Sequence, residues 1–80
     1  MKVITAETID NLVEALESLE YDVKYFQNQV SLWAEKSPKH ADIHQMMKSA
    51  KNHEKHGFLL ALRYAGIETE VRTRLLDKTN

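Results

Sequence analysis

Between Ile9 and Trp33, apolar residues recur as Ile9, Leu12/Val13, Leu16, Leu19, Val23, Phe26, Val30 and Trp33. The steps alternate between three and four residues, the heptad spacing that lays one continuous apolar stripe along an α-helix. No Gly or Pro interrupts it. The spacing predicts helix 1 over residues 8–36, approximately. Thr5 or Thr8 is placed to cap its start, with Glu7 and Asp10 suited to the N-terminal end of the helix dipole.

The stripe is broken at Lys36-Ser37-Pro38-Lys39. Proline suits the first position of a helix and drives the residue before it out of the α region. One helix therefore ends and another starts across a turn at 37–38, a connection so short that it makes the two helices antiparallel neighbours. Helix 2 is predicted over about 39–65, with a seam of Ile43, Met46/Met47, Ala50, His53, Gly57, Leu60 and Tyr64. A C-terminal helical extension is predicted over about 67–77. The heptad phase runs on through Ile67, Val71 and Leu75, so the sequence favours a continuous or mildly kinked path across Gly66. The alternative is a stop at Gly66 and a short third helix. The tail would then overhang helix 1, with Val3 and Ile4 placed to cover it near Val71.

Folding about Ser37-Pro38 pairs residues whose numbers sum to about 75. Ala50, Gly57 and Ala61 are then expected to face the larger side chains of helix 1. Charge agrees with this pairing. Residues 1–36 hold seven acidic and three basic side chains, and residues 37–66 hold five basic and two acidic ones. Exposed ion pairs are weak, about 0–1 kcal/mol each, so the seam is the stronger argument.

Apolar residues also lie off the seam. Phe58-Leu59-Leu60-Ala61-Leu62 is apolar around a full turn, whereas a helix in a hairpin needs one buried stripe. Phe58, Leu59, Leu62 and Tyr64 on helix 2, with Tyr21, Tyr25 and Leu32 on helix 1, are the candidate dimer-interface or partner-binding residues. Two hairpins packing into a four-helix bundle would bury both sets. A third helix folding back from Ile67, or a surface kept for another partner, are the alternatives.

Eighty residues without cysteine bury a limited core and cannot be stapled by a disulfide, which also favours self-association. The formal net charge of −1 gives no overall attraction to nucleic acid or anionic membrane. With 42% hydrophobic and 29% charged residues the chain is too apolar for intrinsic disorder. No apolar run reaches the roughly 18 residues of a membrane span, and the first residues lack a signal-peptide core. A cytoplasmic setting is expected.

Chemistry-bearing motifs are sparse. His40 and His44 stand four apart and His53 and His56 three apart, spacings that can share a metal ion. Neither pair belongs to a His-Glu-x-x-His or Glu-x-x-His motif, and surface histidines are the simpler reading, with His53 half-buried in the seam. No serine sits in a nucleophile motif, and Gly57 and Gly66 are isolated rather than part of a phosphate loop. Lys48, Lys51 and Lys55 form a basic stripe that could contact phosphates if a dimer doubled it. The sequence is thus expected to encode an all-α antiparallel helical hairpin with a short C-terminal extension, dimerising into a four-helix bundle. Its expected role is a non-catalytic adaptor, regulator or inhibitor, without cofactor, that binds another protein. Nucleic-acid binding through the three lysines and metal-dependent assembly through the histidines are the alternatives.

Overall fold

The computed structural model describes residues 4–79. They form three helices, α1 (Ala6–Trp33), α2 (Pro38–Tyr64) and α3 (Glu68–Thr79), with no strand among the described residues. The all-α class expected from periodicity is what the chain adopts.

The ends of α1 follow from local chemistry. Thr5 is extended, and its hydroxyl oxygen accepts from the Thr8 backbone N–H at 3.2 Å, satisfying one of the free donors of the first turn. At the other end α1 stops three residues earlier than the periodicity suggests. The Ser37 N–H donates to the Trp33 carbonyl at 2.9 Å, and residues 34–36 become a turn. Ser37 is extended, as a residue before proline should be, and Pro38 takes the first position of α2. The Ser37 hydroxyl does not cap α2 but bonds to His40 Nδ1 at 2.6 Å.

The chain does not continue as one helix through Gly66. Gly66 has φ +77°, a left-handed conformation, and two backbone bonds close the end of α2. The Ile67 N–H donates to the Leu62 carbonyl and the Gly66 N–H to the Arg63 carbonyl, both at 3.0 Å. This is the Schellman arrangement, which satisfies orphan carbonyls and reverses the chain. Heptad phase across the glycine was a misleading guide, because these bonds replace the helical ones it would require.

Beyond the reversal α3 lies against α1. Arg74 bonds to Asp10 at 2.8 Å and Lys78 to Glu17 at 3.1 Å, so numbers rise together and α3 runs parallel to α1. The core therefore sits at this three-helix end. Ile9, Val13, Leu16, Leu62, Val71 and Leu75 are buried in one cluster, with Leu12, Phe58, Leu59 and Ile67 packed partly against it. Val71 is fully enclosed. The expected overhang does not occur: the tail folds back and supplies core. Ile4 is exposed, and Val3, expected to cover Val71, lies outside the described residues.

The other half of the molecule has two helices only. Its contacts join residues whose numbers sum from 70 (Phe26 against His44) to 75 (Glu20 against Lys55). Along α1 the heptad seam is inward throughout, but Val23, Phe26, Val30 and Trp33 are only half-buried. Of α2, only Ala41 and Leu62 are fully buried.

The rotation of α2 differs from the expectation. The positions turned inward are Ala41, His44, Lys48, Lys51, Lys55, Phe58 and Leu62. That set also has three-four spacing, two residues out of phase with the apolar one. Two residues is about 200° around a helix, so the two registers occupy nearly opposite faces. Ile43, Met46, Met47, Ala50, His53, Gly57 and Tyr64, assigned to the seam from sequence, face solvent instead. Ala50, Gly57 and Ala61 are exposed and do not meet the large residues of α1. The cause is at the three-helix end. Phe58 and Leu62 can join a core with Val71 and Leu75 only in this rotation, and a stiff helix carries the choice along its length.

Candidate functional site

The rotation places each candidate group. Lys51 reaches Asp22 at 3.5 Å and Glu54 at 3.3 Å, Lys55 reaches Glu20 at 3.4 Å, and Lys48 bonds to the Gln27 side-chain carbonyl. Hydrogen bonding to Glu54 and its charge, reinforced by Asp22, hold the Lys51 ammonium above its usual pKa. Lysine stems lie along half-apolar surface while the heads of Lys51 and Lys55 meet acids flanking the α1 seam and that of Lys48 meets an amide. The basic stripe that the sequence offered to phosphate thus has its partners on α1.

The histidines separate into two kinds. His40 stacks on the Trp33 ring, with centroids 5.0 Å apart, and His44 stacks on Phe26 at 6.1 Å. Both fasten the turn end of α2 to aromatics of α1. His53 and His56 are exposed, so His53 is not the half-buried seam residue expected. Among the described residues no three His, Asp or Glu side chains converge as a metal site would require.

His44 carries a local cost. Its Nδ1 is buried with no hydrogen-bond partner. An unpaired buried polar atom costs about 1–3 kcal/mol, partly offset here by ring stacking. His44→Leu is therefore expected to leave stability unchanged or raise it by about 1 kcal/mol. A urea midpoint measures this, and a clear fall would show that the imidazole is worth more than its stacking.

The candidate interface residues also divide. Leu62 is in the core, and Phe58 and Leu59 pack partly against it under α1 and α3. Their all-round apolar character is satisfied inside the chain, so Leu62 is not a surface residue as expected, and Phe58 and Leu59 offer a partner little. Tyr21, Tyr25, Leu32 and Tyr64 are exposed, Tyr21 to 68% and Tyr64 to 87%. Tyr21, Tyr25 and Leu32 follow i, i+4, i+11 spacing and so form one ridge on α1. The sequence reading missed a second apolar surface, Ile43, Met46 and Met47, with Met46 exposed to 73%. Its signal was present: Lys48, Lys51 and Lys55 are in phase with Ala41, His44, Phe58 and Leu62, a rival seam that acids on α1 can satisfy.

A groove of about 220 Å³ between α1 and α3 is lined by Leu16, Glu20, Arg72, Leu75 and Leu76. Small-molecule pockets run to roughly 300–1,000 Å³, and Glu20 is engaged by Lys55. None of the described helices is long and apolar enough to cross a membrane. Comparison of the chain with protein-family models, with curated proteins and with solved structures found no match in any of the three.

Proposed function

We propose that this chain is a small non-catalytic adaptor or regulator that acts by binding other proteins in the cytoplasm. In this reading α1 and α2 work as an antiparallel helical hairpin, α3 braces one end, and two copies associate into a four-helix bundle. The observation that carries it is the amount of large apolar side chain left in water away from the core: Tyr21, Tyr25 and Leu32 on α1, and Ile43, Met46 and Met47 on α2. Contiguous exposed apolar surface on a small chain marks interaction sites, and tyrosine is enriched among residues that dominate binding.

The α1 ridge is assigned to the partner protein. Tyr21→Ala combined with Tyr25→Ala is expected to reduce capture of that partner at least tenfold while the melting temperature stays within a few degrees. Labelled RNA and DNA should show no mobility shift at low salt. A salt-sensitive shift abolished by Lys48→Ala with Lys51→Ala would overturn the protein-binding reading in favour of nucleic acid.

A further inference from the structure

We infer that the outward stripe of α2 is the seat of a second copy, with α2 packed antiparallel against α2 of its partner and crossing closest at Ala50 and Gly57. This rests on the dimer reading above, and it narrows the association to one α2–α2 contact in which α1 of each copy stays on the outside. The stripe runs from Ile43 through Met46, Met47, Ala50 and Gly57 to Tyr64, about 32 Å along the helix. It keeps strict heptad spacing on the face turned away from α1, a pattern that a solvated face has no reason to hold.

The stripe is self-complementary. A two-fold axis beside His53 and Glu54 pairs residues whose numbers sum to 107. Ile43 then meets Tyr64 of the other copy, Met46 meets Ala61, Met47 meets Leu60, and Ala50 meets Gly57. The outer pairs are large and apolar on both sides, Met46 meets a small residue, and the two smallest residues meet at the crossing. Charge agrees with the same register. His53 comes beside Glu54 of the other copy, twice by symmetry, and no two like charges are brought face to face. The lysines that would have repelled a second basic helix are turned to α1.

Gly57 supports this placement. Glycine weakens a helix interior relative to alanine. Among the described residues nothing within 4 Å would meet a Cβ added there, and its φ is not positive. The chain's own packing therefore gives no reason for glycine, whereas close approach of a second helix does. A contact of one helix pair lies at the small end of specific interfaces, below about 1,200 Å² in total, as weak or transient associations do. Its formation uses none of Tyr21, Tyr25 and Leu32, so partner and second copy do not compete.

Two measurements on the full chain test this. Light scattering across a micromolar concentration series should show a shift from 9.3 kDa toward twice that mass. Gly57→Leu should weaken association at least tenfold while helical signal and melting temperature hold or rise, because the added side chain meets nothing within the monomer. The chain has no cysteine, so single replacements report proximity. His53→Cys, next to the axis, should give a disulfide-linked dimer under mild oxidation, and Tyr21→Cys should not. Cross-linking through Tyr21→Cys instead, with Gly57→Leu still dimeric, would overturn the α2 interface and leave the dimer itself standing. A mass of 9.3 kDa at every concentration would overturn both.

Discussion

Leu62→Glu is expected to unfold this chain rather than merely alter its surface. Leu62 is 4% exposed and touches the shared core of all three helices. Removing a buried leucine side chain costs about 2–5 kcal/mol, and placing a carboxylate among apolar neighbours adds several more. A domain of this size has roughly 4–12 kcal/mol in total. The variant should lose its cooperative melt near neutral pH. The new carboxyl would have a raised pKa in the folded state, so stability should be highest at acidic pH and fall as pH rises through that value. Met46→Glu is the control. Its site is exposed to 73%, so the melting temperature should move by no more than a few degrees. Equal effects from the two would mean that the core is not where the three helices meet.

The second large effect is expected at Gly66. Its φ of +77° suits glycine, and a β-branched residue there is strained. Gly66→Val should cost about 2–3 kcal/mol. For a chain of this length that lowers the melting temperature by roughly 10–20 °C. The escape from strain is also defined. If residues 38–79 straightened into one helix it would be about 63 Å long, exceeding the present 53 Å extent of the molecule. Small-angle scattering should then report a longer particle with Val71 and Leu75 exposed. Gly57 provides the opposite sign. Gly57→Ala, in an ordinary helical position, should raise monomer stability by about 1 kcal/mol. The opposite signs separate a glycine that its backbone conformation requires from one in an ordinary helical position.

Much of the architecture is local and so was legible. The α1 stripe from Ile9 to Trp33 has one three-four register and no competitor, and it faces inward along its whole length. Pro38 marks the start of α2 because its ring permits little else there. Exposure of Tyr21, Tyr25 and Leu32 follows from the same register. At Gly66 the residue type pointed to a stop while the heptad phase pointed through it. Periodicity describes which side chains share a face, not whether the backbone between them stays helical.

The face that α2 turns to α1 was not legible. That helix carries two heptad registers, Ile43-Met46-Ala50-Gly57-Tyr64 and Ala41-His44-Lys48-Lys51-Lys55-Phe58-Leu62. Ranked by hydrophobicity the first belongs inside. By itself the sequence determined three things: all-helical structure, a break between helices at Pro38, and the inward stripe of α1. Only the tertiary structure decided the rotation of α2, and with it which residues are surface. The physical reason is that α3, folding back through Gly66, completes a core that takes Phe58 and Leu62. Once those anchors are seated, a rigid helix has one rotation left. The lysines must lie against the polar side chains Asp22, Glu20 and Gln27 of α1, and the apolar stripe must face outward.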